Sequence, residues 1–129
     1  MSKMNSVDYV AESGATDKRD YSDIQERMSQ EFNAKMTHYM LGLGTEAGEL
    51  QDELKKVLIY GKEWDLPNVI EELGDLAWYS ARILDLLGVS YEEVFFKNNA
   101  KLKARYGDKF TEYKALNRNL DKEREILEK

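Results

Sequence analysis

The chain has 129 residues, 42% of them apolar and 34% charged, which is typical of one globular domain, and it has no cysteine for disulfides or thiolate metal sites. The net charge of −6 argues against a nucleic-acid polymer as partner, but a bound cation would still admit a small anionic ligand. The apolar runs are too short for a membrane span and the N-terminus has no apolar signal segment, so we expect a soluble cytoplasmic protein.

The beginning of the chain is expected to differ from the rest. Residues 1–17 are polar and lack periodicity, which predicts a mobile tail. Residues 18–129 are expected to form a single helical domain. Its helical pattern begins near Tyr21 and continues or restarts towards Met40.

Two longer helices are predicted next, at about residues 38–60 and 67–87. Gly61 and Gly88 end them, and Pro67 suits a first helical turn. Each carries an apolar stripe that we expect to face the core. The stripe residues are Leu43, Ala47, Leu50, Leu54, Val57 and Leu58 on the first helix, and Val69, Leu73, Leu76, Ala77, Ser80, Ile83 and Leu87 on the second.

The C-terminal part of the chain adds two helices. Ser90 and Glu93 form a capping box that opens a helix ending near Tyr106. A polar, charge-balanced helix is expected at residues 118–128. Because no alternating strand pattern occurs, the fold class is all-α, a bundle of four to five helices.

Acidic residues line one face of each long helix. Glu46 and Glu49 lie one turn apart on the first, and Glu72 and Asp75 lie one turn apart on the second. An acidic face on a single helix is usually only exposed to solvent. Two helices with matching E-x-G-[E/D] segments instead favour a site that both helices share. Four carboxylates repel one another unless a hard divalent cation such as Mg²⁺ or Mn²⁺ binds them, often together with phosphate.

The helix that follows Ser90 carries the opposite charge. Asn98, Lys101 and Arg105 share one face and suit phosphate oxygens. The alternative is that Lys101 and Arg105 pair with surface carboxylates of this chain.

Together, these segments resemble the MazG-like members of the all-α nucleoside triphosphate pyrophosphohydrolase superfamily. The family pattern is E-x-x-E, a spacer, E-x-x-D and then K-N-x-x-K-L-x-x-R-Y, matched here by GLGTEAGEL, EELGDLAWY and KNNAKLKARYGDKF. The resemblance covers about residues 37–128, and the ending looks like that of short, often phage-encoded, members. Thr45 is a departure, because many relatives have glycine there.

This resemblance implies hydrolysis of a (d)NTP to the (d)NMP and pyrophosphate, with water attacking the α-phosphorus in line. It also implies that either Glu49 or Glu53 accepts the proton of that water. The implied ligands of Mg²⁺, or of Mn²⁺ as a substitute, are Glu46, Glu49, Glu72 and Asp75.

Further implications concern the substrate and the assembly. The expected substrate-binding residues of the basic helix are Asn98, Lys101, Arg105 and Tyr106. The family also implies homodimers or homotetramers, in which a second subunit completes the pocket. The base and the sugar of the substrate stay open.

His38 and the glycines have expected roles if the first long helix is continuous. Gly42 would leave room for a base, and His38 would stack on it or hydrogen-bond to it, or else be a partly buried structural histidine. On the other side, Gly44 and Gly48 would let a neighbouring helix backbone approach, as would Gly74 on the second helix.

Two other functions were weighed. One is a non-catalytic helical module that binds nucleotides or a partner protein. The other is a di-iron carboxylate bundle, which requires Glu-x-x-His motifs. Because His38 is the only histidine, those motifs are absent.

Overall fold

The computed structural model describes residues 5–129, and this part of the chain contains seven helices and no strand. The all-α class is confirmed, but four to five helices was too low a number, since two short helices lie where no apolar periodicity marks them. The helices are α1 (Ser6–Ser13), α2 (Ser22–Ser29), α3 (Glu31–Tyr60), α4 (Leu66–Leu87), α5 (Tyr91–Tyr106), α6 (Glu112–Leu116) and α7 (Leu120–Glu128). Within the described range, none of them combines the length and the apolar character that a membrane span requires.

The chain divides into two compact units, Met1–Thr37 and His38–Lys129. Helices α1 and α2 belong to the first unit, and all predicted site residues belong to the second. The first four residues of the predicted tail lie outside the described part. The remainder of that tail contains α1, whose side chains are all exposed. The mobility of residues 1–17 and the single domain over 18–129 stay predictions.

The helical pattern near Tyr21 restarts rather than continues. Gln30 has an extended backbone with ψ of 131°, which ends α2. The Asn33 side-chain amide donates to the Arg27 carbonyl at 2.8 Å and so satisfies a carbonyl at that end. Helix α3 therefore begins at Glu31, earlier than the expected residue 38.

Local signals place the ends of α4 and α5 as predicted. The Asp65 carboxylate accepts from the Asn68 backbone N–H at 3.1 Å, and Gly88 ends α4 in the left-handed conformation. The Ser90 hydroxyl accepts from the Glu93 N–H at 3.2 Å and starts α5. The Tyr91 hydroxyl then donates to the Ala77 carbonyl at 2.8 Å, which ties α5 to α4.

The expected apolar core is wrong for this chain alone. No apolar side chain of the described residues is buried, and the buried charged residues are Glu53, Glu72 and Glu123. Carboxylates of α3 and α4 lie close together, and the apolar stripes of the two helices are only partly covered. The stripe residues that are exposed are Leu54, Leu58, Leu73, Ala77 and Leu87, and the others are half-buried.

A cluster of three charged side chains holds α7 against α5. Arg105 donates from Nε and a terminal nitrogen to the two Glu123 carboxylate oxygens at 2.8 and 2.7 Å. Arg118 donates to the same oxygens at 3.3 and 2.6 Å. These hydrogen bonds, first from Arg105 and then from Arg118, lower the pKa of Glu123 to about 2.

The cluster predicts a defined loss of stability in acid. Glu123→Gln should lower the midpoint of thermal unfolding at pH 7 by roughly 5 °C, because both arginines lose an ionised partner. The stabilisation by ionised Glu123 is complete above the unfolded pKa of 4.5 and is lost as the pH falls through the folded pKa of about 2. Thermal melts of both proteins should therefore converge between these values. A constant difference down to the lower pH would contradict the assignment.

Candidate functional site

Three carboxylates from two helices form the acidic cluster, which we define as Glu46 of α3 and Glu72 and Asp75 of α4. One carboxylate oxygen from each residue lies within 4.8 Å of those of the other two. Glu46 is half-buried, Glu72 is buried and Asp75 is exposed, so the cluster opens to solvent on one side. Three carboxylate oxygens at this spacing can bind one hard divalent cation.

The surroundings of Glu72 destabilise its charged form. One of its carboxylate oxygens is buried and has no hydrogen-bond partner among the described residues. Burial, followed by the negative charge of Glu49 and contact with Glu46, raises its pKa to about 7. A buried oxygen that lacks a donor would be stabilised by a cation.

The two glutamates predicted to act as a base lie in different surroundings. Glu49 is exposed and lies outside the acidic cluster, although its charge acts on Glu72. Glu53 is buried, with 3% of its surface exposed, and accepts a hydrogen bond from Lys56 one turn later. The structure thus brings together three of the four predicted metal ligands, namely Glu46, Glu72 and Asp75. The buried Glu53 is paired with Lys56.

The space beside Gly42 is filled by an aromatic ring. A Cβ atom built on Gly42 would lie 2.2 Å from Cε1 of Tyr79, so only glycine fits against this ring. His38 is exposed, and its ring meets that of Tyr79 edge-on at 6.0 Å between centroids. The expectation that Gly42 leaves open room for a base is therefore wrong, because Tyr79 occupies that room.

The other glycines of these helices have no close neighbour in the chain. Nothing lies within 4 Å of a Cβ built on Gly44, Gly48 or Gly74. The expected approach of another helix backbone to these glycines does not occur within the described residues. Gly42 instead provides the one close approach between α3 and α4 that depends on a glycine.

The predicted anion-binding residues of α5 divide into two groups. Asn98 is exposed and Lys101 is half-buried, and neither has a hydrogen bond or an ion pair within residues 5–129. Arg105 is 13% exposed and bound to Glu123, so here the alternative of pairing with a carboxylate applies. The hydrogen bonds to Glu123 raise the pKa of Arg105 above its ordinary value.

Tyr106 lies at the junction of α5 with the C-terminal segment. Its ring is 5.5 Å from the Arg105 guanidinium and 5.3 Å from the Phe110 ring, measured to the centroids. Its carbonyl accepts from the Lys114 ammonium at 2.7 Å. These contacts are all internal to the chain.

The roles of Glu123 and Arg118 were not predicted from the sequence. Both lie near or within the helix expected at residues 118–128, where the balanced charges predicted an exposed polar surface. The pairing joins residues 18 positions apart, so helical spacing could not find it. The only available signal was the excess of charged residues on both segments.

A family model, the MazG nucleotide pyrophosphohydrolase domain, matches residues 34–110. Neither a curated protein nor a solved structure matches the chain. The matched segment contains the acidic cluster, Tyr79 and the α5 face, whereas α6 and α7 lie beyond it.

The buried charge of Glu72 predicts a dependence of stability on pH in metal-free buffer. A folded pKa of about 7, against an unfolded value of 4.5, means that stability falls as the pH rises through that interval. Glu72→Gln should therefore unfold at a higher temperature than the wild type at pH 8 and at nearly the same temperature at pH 4.5. Glu125→Gln, at an exposed position of α7, is the matched control and should show no such change. Equal melting of Glu72→Gln and wild type at pH 8 would contradict this prediction.

A second prediction concerns the contact between Gly42 and Tyr79. Gly42→Ala should lower the free energy of unfolding by about 1–3 kcal/mol, because the added methyl group overlaps the ring. Gly44→Ala, at an open position of the same helix, should instead raise it by up to about 1 kcal/mol through helix propensity. Urea unfolding followed by circular dichroism measures both. If the two variants were equally stable, the ring would not constrain Gly42.

Proposed function

This chain belongs to the MazG nucleotide pyrophosphohydrolase family, and on that premise we propose that it hydrolyses a nucleoside triphosphate to the monophosphate and pyrophosphate with the help of Mg²⁺. The observation that carries the proposal is the acidic cluster with the unpartnered, buried oxygen of Glu72. A solvated acidic face would not bury a carboxylate oxygen without a donor.

The donor set fits a hard divalent ion. Glu46, Glu72 and Asp75 supply oxygen ligands, and the open side of the cluster leaves room for water and for phosphate oxygens. When bound, Mg²⁺ supplies positive charge that polarises the phosphoryl group and lowers the pKa of a coordinated water. Mn²⁺ has the same preference for oxygen and is the expected substitute.

A residue beside the acidic cluster accepts the proton that the attacking water releases. In the proposed reaction, the water oxygen bonds to the α-phosphorus, and the bond from that phosphorus to the oxygen bridging to the β-phosphate breaks. Glu49 accepts the water proton, because it is exposed and close enough to act on Glu72, whereas Glu53 is paired with Lys56. Pyrophosphate leaves with the bridging oxygen.

The α5 face contributes to binding of the triphosphate. Within residues 5–129, the side chains of Lys101 and Asn98 have no acceptor, and a half-buried ammonium without an acceptor favours an anion. His38 and Tyr79 lie one or two turns from the acidic cluster along their helices and offer ring edges to a nucleotide base.

A second copy of the chain is the proposed partner of the exposed apolar stripes. Leu58 of α3 is 70% exposed and Leu73 of α4 is 51% exposed, and a chain with no buried apolar side chain in its described part needs an external surface to cover them. This supports a homodimer or homotetramer. It also agrees with the open surroundings of Gly44, Gly48 and Gly74, where another chain can approach.

The activity has a direct test. Purified protein with MgCl₂ should convert at least one (d)NTP to (d)NMP and pyrophosphate, identified by chromatography of the nucleotide and a pyrophosphate-specific assay. Glu72→Gln and Glu49→Gln should each lower kcat by roughly 100-fold or more, and Glu53→Gln should lower it much less. Lys101→Met should mainly raise KM, and Glu125→Gln is the control.

The outcomes separate the alternatives. Release of orthophosphate would exclude the proposed bond cleavage, and full activity of Glu49→Gln would exclude its role as the base. Metal binding by calorimetry with no turnover across canonical and modified nucleotides would favour a non-catalytic nucleotide-binding module instead.

Self-association is tested separately. Light scattering after gel filtration should give a mass at least twice that of one chain. Leu73→Glu should shift the protein towards the monomer, since it places a charge on the exposed stripe of α4. Leu116→Glu, at a position of α6 that is 84% exposed, is the matched control and should leave the mass unchanged. A monomeric wild type at micromolar concentration would reject the proposed partner.

A further inference from the structure

Arg105 and Lys101 differ in their surroundings although they lie one turn apart on the same face of α5. The Lys101 ammonium has no acceptor among the described residues. The Arg105 side chain is 13% exposed, and two of its nitrogens donate to the two oxygens of Glu123, whose side chain is 6% exposed. One cation of the proposed anion-binding face is thus available, and the other is held by a carboxylate of the same chain.

The cluster formed by Arg105, Arg118 and Glu123 contains two cations and one anion. Arg118 is 42% exposed and donates to both Glu123 oxygens. Removing one member of a buried ion pair normally leaves an unpaired charge, which is strongly destabilising. Here Arg118 would stay bound to Glu123 after Arg105 had left. Departure of Arg105 therefore leaves no buried charge without a partner.

Helix α7 lies beyond the segment that the family model matches. Arg105 lies within residues 34–110, which the family model matches, and Glu123 lies beyond them. Helix α7 has nine residues, fewer than an isolated helix needs to be stable in water. Its order therefore depends on its contacts with α5, of which the bonds to Arg105 are the only ion pair.

We propose that Glu123 competes with the phosphates of the substrate for Arg105, so that docked α7 is an autoinhibitory contact that a polyphosphate displaces. This inference rests on the proposed function, in which the α5 face binds the triphosphate. An anion that takes Arg105 weakens the docking of α7, and by thermodynamic reciprocity the undocking of α7 strengthens anion binding by the same factor.

Calorimetric titration with inorganic tripolyphosphate, in buffer with MgCl₂, tests the competition without requiring hydrolysis. Glu123→Gln should bind tripolyphosphate roughly tenfold more tightly than the wild type, since Arg105 is then free for a charge-assisted bond. Glu125→Gln, an exposed neighbour on α7, should bind like the wild type. The gain should vanish in the double variant Arg105→Gln/Glu123→Gln, because it acts through Arg105.

Hydrogen exchange tests the proposal on the wild-type protein alone, so the misfolding of a variant cannot affect the result. Adding tripolyphosphate should accelerate amide exchange in residues 120–128. Equal or weaker binding by folded Glu123→Gln, slower or unchanged exchange in α7, or no binding by any of these proteins would each overturn the proposal. Because tripolyphosphate contains no nucleoside and binding alone is measured, loss of the competition is distinguishable from absence of pyrophosphohydrolase activity.

Discussion

Carboxylates of α3 and α4 lie close together, and this constraint shapes the candidate site. Glu72 is buried, and one of its oxygens has no donor among the described residues. One carboxylate oxygen each from Glu46, Glu72 and Asp75 lies within 4.8 Å of the other two. Such an arrangement is unfavourable in a metal-free chain, as the raised pKa of Glu72 indicates. The apolar stripes of the same two helices are exposed or half-buried within the described residues. The chain thus combines a site of clustered charge with an apolar surface that a second copy could cover.

The close approach of these two helices is limited to one end of the acidic cluster. Gly42 lies one turn before Glu46, and Tyr79 lies one turn after Asp75, so the ring fills the space that the missing side chain provides. Glycine weakens α3 here by about 1 kcal/mol relative to alanine. Gly42 thus weakens α3 but allows α4 to come close to it. The Tyr79 ring fills the space beside Gly42 and lies next to His38.

Much of this arrangement could be predicted from the sequence, and the errors have physical causes. Helical spacing and caps such as Ser90 and Gly88 gave nearly correct ends for α4 and α5, and the two E-x-G-[E/D] segments placed Glu46, Glu72 and Asp75 on facing surfaces. The apolar stripes were correctly located, but their burial was wrong, since periodicity tells which residues share a face and not which chain covers that face. Gly42 was misjudged for the same reason, because its neighbour Tyr79 lies on another helix. The short α6 offers too few residues for any periodicity.

On the basic face of α5, helical spacing again predicts which residues share a face but not what each of them binds. Lys101 and Arg105 share one helical face. Lys101 has no acceptor in the described part of the chain, whereas Arg105 is bound to Glu123, 18 residues further along. In the proposed function, the segment after residue 110 would therefore control how strongly α5 binds an anion. A bound polyphosphate and Glu123 present the same chemistry to Arg105, namely two oxygens with shared negative charge. If a polyphosphate replaces Glu123 as the partner of Arg105, Glu123 can stay bound to Arg118. Every charge of the cluster then remains paired, and the contact between Arg105 and Glu123 can be reversible.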